Sequence, residues 1–327
     1  MTSTQTGGQP LSDSGRSARL GPTDLRSIAV FLVLAFGLAW LVTLPLWLGD
    51  GLTDPAFLPL ATVMMTTPAI AALVVLFVVE RPAHKWQSLG LWPLRPLRRL
   101  CGYIATGIAV SMALVLVALP IGALLGVYPA DFTHFSTFRQ ALESQLGPDL
   151  VPASVGPLIT AQLALVPVAA LIGVLPALGE EIGWRGWLLP KLMPLGAVPA
   201  ILVSGVIWGT WHAPVVLLGY NYSDAPGWLG VASMVGMCTV VGAVFGWLRL
   251  RSGSVWPAAL AHSAFNATGA SFLLFAQAGV PIDTTRATIL GWSGWIVPLA
   301  LVALLVATGR FAAPARPDDR DRTSHHG

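Results

Sequence analysis

Glu180 and Glu181 stand side by side with Arg185 in the run LGEEIGWRGWLLP, residues 178–190, where nearly everything else is built for hydrocarbon. Two imidazoles, His212 and His262, and one amide, Asn266, fall inside later apolar runs. Charges in such surroundings are costly, and by default they mark a functional site. A carboxylate held away from water takes up a proton readily and suits general-base work. His and Asn can donate hydrogen bonds to charge that develops on an oxygen. Together these residue types make a candidate site with one free carboxylate, two imidazoles and one amide.

Spacing gives the two glutamates different surroundings. On an α-helix Arg185 follows Glu181 by four residues and shares its face, whereas Glu180 is turned away by about 100°. The Glu181–Arg185 pair therefore reads as a support that leaves Glu180 free to face something else. His212 is the expected neighbour. Pro194, Gly196 and Pro199 mark a turn, and Gly196 is the midpoint between residues 180 and 212. An antiparallel hairpin bent there sets Glu180 and His212 at one depth, about 24 Å from its tip. His262 lies about 14 Å beyond the RLRSGS loop, with Asn266 one turn deeper on the same face. The competing reading of these residues is polar glue, hydrogen-bonding helices to one another within a membrane.

The elements that would position them are membrane helices. The chain has 327 residues, of which 55% are hydrophobic and 10% charged, and its mean hydropathy is +0.72. Soluble domains carry roughly 25% charged residues, so composition alone indicates a membrane protein whose solvent is the lipid bilayer. Apolar segments long enough to cross, about 20 residues each, run at 27–47, 56–79, 102–127, from 157 onward, 197–218, 228–248, 255–274 and 289–308. The expected fold is thus all-α, a polytopic integral membrane protein of about eight transmembrane helices. Residues 1–26 read as a disordered cytoplasmic tail and 27–155 as helices one to three with their loops. Residues 156–309 hold helices four to eight, and 310–327 form a second disordered cytoplasmic tail.

Charge bias orients the chain. With alternating sides, 16 of the 18 basic residues fall on the face that holds both termini, and only Arg139 and Arg286 lie opposite. Asp50, Asp54, Asp131, Glu143, Asp149, Asp224 and Asp283 gather on that opposite face. This is the positive-inside pattern, with both termini cytoplasmic and the chain multi-pass in the cell membrane. Net charge is +3, but the basic residues are spread through short loops, which excludes a nucleic-acid partner. Cys101 and Cys238 match no metal or redox spacing and read as small buried hydrophobes.

The polar residues also carry a resemblance. Glu180-Glu181-x-x-x-Arg185, Trp208-x-x-x-His212 and His262-x-x-x-Asn266 are similar to the three signatures of the CPBP family. That family of intramembrane proteases includes the CAAX prenyl endopeptidases and the bacteriocin-processing and abortive-infection-type proteins. The resemblance runs from about Pro157 to Phe275 and does not reach the first three helices. It implies that Glu180 is the base that activates water, helped by His212, and that His262 and Asn266 form the oxyanion hole. Glu181, Arg185 and Trp208 are then supporting residues. Trp208 departs from the family, which more often shows Phe there, and the aromatic character is kept. The implied partner is a membrane-associated or lipidated peptide or protein substrate.

Two other readings use the same residues. Glu180, His212 and His262 could make a zinc site with an open position for water. No His-Glu-x-x-His run is present, and Asn266 beside His262 suits an oxyanion better than zinc, so no cofactor is the favoured expectation. A proton-coupled transporter could use the same Glu and His as a relay, but transporters tend to show matching repeats in two halves. Here the polar residues are confined to the second half.

Overall fold

The computed structural model describes residues 20–311. Of the tails expected at 1–26 and 310–327, residues 1–19 and 312–327 lie outside the described residues. The first helix, α1, is Pro22–Leu48, so five residues expected in the polar tail are helical. Its start follows from local chemistry: Pro22 occupies the first turn, and the Gly21 N–H donates to Asp24 Oδ2 at 3.3 Å.

The chain is helical at every expected apolar segment. After α1 come α2 (Phe57–Met64) and α3 (Thr67–Val74), the latter running on into a π-helical stretch, Val75–Glu80. Next is the long helix α4 (Leu97–Leu124), followed by a short surface helix α5 (Ser136–Leu146). The fourth expected span is broken into α6 (Gly156–Ala164), α7 (Val166–Ile172) and α8 (Val174–Glu181), then a π-helical stretch at Ile182–Leu188. The fifth is α9 (Ala197–Trp211) with the short α10 (Ala213–Val216). The bundle closes with α11 (Gly227–Ser252), α12 (Trp256–Gly269) and α13 (Ile296–Ala307). Among the described residues the only β-type pairing is an isolated bridge between Ala130 and Ala276.

Four of these helices are long and apolar enough to cross a membrane: 22–48, 57–80, 97–124 and 227–252. A fifth is reached when the pair 156–172 and 174–195, bent by 57°, counts as one span. The expected figure of about eight is therefore not reached by helix length. The shortfall has local causes. The fifth segment breaks at His212 ahead of Pro214, the seventh tightens into a 3₁₀ turn at Ala270–Leu274, and the eighth is helical only from Ile296.

The outer surface is apolar, with Val33, Leu41, Leu48, Leu124, Ile172 and Leu175 all exposed, as expected where lipid is the solvent. Inside, helices come close because small residues let them. A Cβ on Gly209 would lie 2.4 Å from Val235 Cα, and one on Gly205 would lie 2.6 Å from Thr239 Cα. The Gly205-x-x-x-Gly209 spacing thus brings α9 against α11 backbone to backbone. These contacts fix the helix that carries Trp208 and His212.

The two ends of the bundle differ. At the basic end Lys191 Nζ reaches Glu80 Oε1 at 3.0 Å and Asp24 Oδ1 at 3.3 Å. There too the Val255 N–H donates to the Gly90 carbonyl and Arg99 Nη2 donates to the Arg251 carbonyl. At the opposite end Tyr222 Oη donates to the Leu290 carbonyl at 3.0 Å, and Thr284 Oγ1 donates to the Asn221 carbonyl at 2.6 Å.

Candidate active site

Glu180 and Glu181 are the last two residues of α8, and both are buried, as is Arg185 in the π-helical stretch that follows. Regular α-phasing, on which the sequence argument relied, therefore ends at Glu181. The expected pair still forms: Arg185 Nη1 donates to Glu181 Oε1 at 2.7 Å. The guanidinium lies over the Trp208 ring at 4.2 Å and faces Phe245 at 5.5 Å, so π-systems cover the parts of the cation that the carboxylate does not.

His262 joins this cluster. Its Nδ1 lies 3.0 Å from Glu181 Oε1, and its ring stacks on Phe245 at 5.5 Å. A carboxylate oxygen accepts, so the Nδ1 hydrogen points at Glu181 and the Nε2 edge is left for other work. Helical spacing alone sets His262 with Asn266 and gives Glu181 only Arg185. In the structure Glu181 Oε1 accepts from both Arg185 and His262, while its other oxygen, Oε2, is buried without a hydrogen-bond partner.

Glu180 has a different neighbour from the one expected. Its Oε2 accepts from the Trp208 indole at 2.6 Å rather than bonding His212. Trp208 sits one turn before His212, so the hairpin register is offset by a turn from the simple midpoint count. The reason lies in the irregular stretch 182–195, π-helix followed by short turns, which does not rise at 1.5 Å per residue. The tryptophan is more than an aromatic stand-in for phenylalanine, because its N–H donates and a phenyl ring has none. The sequence carries no signal for this bond, since the indole N–H groups of Trp184, Trp187 and Trp295 are buried without a partner.

His212 caps α9, with Nδ1 2.9 Å from the Trp208 carbonyl. A carbonyl can only accept, so Nδ1 carries the hydrogen and Nε2 presents a lone pair. Cys238 is buried as expected, with Sγ 3.9 Å from the same Nδ1. Cys101 is instead exposed on the outside of the bundle, where its place on α4 faces away from the core.

Glu180, Trp208, His212, His262 and Asn266 all line one cavity of about 470 Å³. Asn266 is on its exposed part, one turn beyond His262 on α12. Much of the remaining wall is apolar, including Met64, Met234, Met237 and Phe265. Those residues carry no sequence signal, since a methionine at helical spacing reads as core until the helices are assembled. The cavity can hold an extended stretch of peptide with one polar wall and one apolar wall. Among the described residues no three His, Cys, Asp or Glu side chains group closely enough to hold a metal ion.

No curated protein matches the chain. A family model described as Rce1-like, type II CAAX prenyl endopeptidase, matches residues 162–268. That segment contains Glu180, Glu181, Arg185, Trp208, His212, His262 and Asn266, the whole polar cluster of the cavity. With its motifs, its helices and its buried charges in agreement, the segment 162–268 is similar to the type II CAAX prenyl endopeptidases, which supports the CPBP/CAAX protease family.

Proposed function

We propose that the protein is an intramembrane endopeptidase that hydrolyses a peptide bond in a membrane-associated or lipidated polypeptide. The observation that carries the reading is the gathering of one carboxylate, two imidazoles and one amide on the wall of a cavity within an apolar bundle. Glu180 and the Nε2 lone pair of His212 flank the water and take its proton as it attacks the carbonyl carbon. The Trp208 N–H holds the Glu180 carboxylate in place at 2.6 Å, leaving the other oxygen for the water. His262, carrying a hydrogen on Nε2 as well as on the Nδ1 that Glu181 holds, and Asn266, through its amide, donate to the tetrahedral oxyanion. The proton then passes to the leaving nitrogen, and the tetrahedral centre collapses.

The same proposal includes eight spans, with the broken and shortened helices counted as crossings, and both termini cytoplasmic in the cell membrane. Support comes from the distribution of basic residues and from the apolar belt. It also includes water activation without a metal, supported by Asn266 one turn beyond His262 on the cavity wall, which suits an oxyanion donor better than a zinc ligand. The test is to purify the protein, measure bound zinc, and follow cleavage of a membrane-anchored reporter peptide before and after strong chelation. Turnover that survives chelation, with zinc well below one per chain, is expected. Zinc bound one-to-one and lost together with activity in His212→Ala would replace this mechanism with a metalloprotease.

A further inference from the structure

Toward one end of the bundle the cavity is shut off by packed side chains, and toward the other it is lined by residues at helix ends and in loops. On the basic side of Glu180 the interior is packed solid. Trp184, Trp187, Leu188, Phe245 and Leu248 are all buried, and Phe31 stacks on Trp187 at 4.7 Å and meets Trp184 edge-on at 5.5 Å. Beyond this plug lie the Lys191–Asp24–Glu80 cluster and the Gly90–Val255 contact that tie the basic loops together. A peptide arriving from that side would have to displace this buried layer of side chains.

On the other side the wall is made by residues from the acidic end. Phe57 is the first residue of α2, Tyr220 and Asn221 follow α10, Phe272 follows α12, and Ile289 and Leu290 precede α13. Phe57 and Tyr220 meet with ring centroids 5.8 Å apart. A second hollow of about 630 Å³ adjoins the first, sharing Asn221 and Phe272 with it. Its wall is more polar, with Thr137 and Gln140 of α5 facing Ser223, Gln277 and Thr284. Such side chains can bond an extended backbone, as the methionine-lined wall of the first cavity cannot.

Taking the endopeptidase reading above as its premise, we infer that the scissile segment enters from the end opposite the basic loops, through the hollow bounded by Asn221, Phe272 and α5. With basic loops cytoplasmic, the substrate is an extracytoplasmic stretch of a membrane-associated polypeptide, its polar flank held in the outer hollow. Its apolar side chains fill the methionine-lined cavity.

Access can be read without turnover. In a Cys101→Ser background, single cysteines replace Ala61 and Ala270, both on the cavity wall, with Asp224→Cys and Arg95→Cys as markers of the two faces. Intact cells are treated with a small membrane-impermeant thiol reagent, and inverted vesicles are treated in parallel. The expected result is modification of Ala61→Cys and Ala270→Cys in intact cells, as for Asp224→Cys, with Arg95→Cys modified only in inverted vesicles. Modification should also abolish reporter cleavage. Cavity cysteines reached only with Arg95→Cys, or reached from neither side, would overturn the entry route. Arg95→Cys reached in intact cells would overturn the extracytoplasmic assignment. Repeating the labelling in Glu180→Gln separates this inference from the endopeptidase reading. Unchanged labelling with lost cleavage supports both, whereas retained cleavage removes the mechanism and leaves the route standing.

Discussion

Two adjacent glutamates divide the site into two regions of opposite character. Around Glu181 every neighbour closes in: Arg185 at 2.7 Å, His262 at 3.0 Å, and the rings of Trp208 and Phe245 over the charges. Around Glu180 one oxygen is held by Trp208 and the rest of the wall is cavity. The difference teaches how a bundle in lipid can hold a reactive carboxylate. A buried ion pair is weak evidence for net stability, yet breaking one by removing a single partner is strongly destabilising. The closed region therefore locks the local geometry, and the open region can remain polar and accessible because its neighbour does the locking.

The largest expected effect breaks the open region alone. Glu180→Gln keeps the shape and the acceptor for the Trp208 N–H but removes the base, so reporter cleavage should fall by about 10²–10⁴-fold. Membrane yield should stay near wild type. Next comes the closed region. Glu181→Gln leaves Arg185 and the His262 Nδ1 hydrogen without their counter-charge, which costs roughly 3–5 kcal/mol when a pair is fully buried. Arg185→Leu should behave similarly in thermal melts. The double variant should lose less than the sum, with a coupling of about 0.5–3 kcal/mol, because both members of one pair go together.

The smallest effect falls on the residue that bridges the two regions. Trp208→Phe keeps a ring over Arg185 but deletes the donor to Glu180, a hydrogen bond to a charged group contributing roughly 1.5–3 kcal/mol. Cleavage should drop with only a modest change in melting temperature, and Trp208→Leu, which also removes the ring, should melt lower still. Equal melting of the two variants would show that the ring above the guanidinium does nothing.

Much of this division was legible in the sequence, for a physical reason. Ionisable residues are so costly in hydrocarbon that Glu180, Glu181, Arg185, His212 and His262 stand out without any structure. The Glu181–Arg185 pair follows from helical spacing because four residues span one turn whether or not the next stretch is regular. Register across the hairpin does not follow in the same way. It depends on the rise through 182–195, and the π-helical and 3₁₀ turns there shift Glu180 from His212 to Trp208. The bond from His262 to Glu181 was also hidden, since it joins residues 81 apart whose helices meet through packing alone. Where the helices break was hidden for a related reason. Hydropathy sees apolar length, while breaks at His212, at Ala270 and before Ile296 are set by prolines and by loops that pack over the cavity.

The central claim is that chemistry belongs to Glu180 and support to Glu181, and one measurement addresses it directly. Wild type, Glu180→Gln and Glu181→Gln are purified in the same detergent, melted in parallel, and assayed on the same membrane-anchored peptide below their melting temperatures. The expected result is a Glu180→Gln protein that melts with wild type and does not cleave, beside a Glu181→Gln protein that melts well below both. A stable, inactive Glu181→Gln beside an active Glu180→Gln would contradict the account and exchange the two roles.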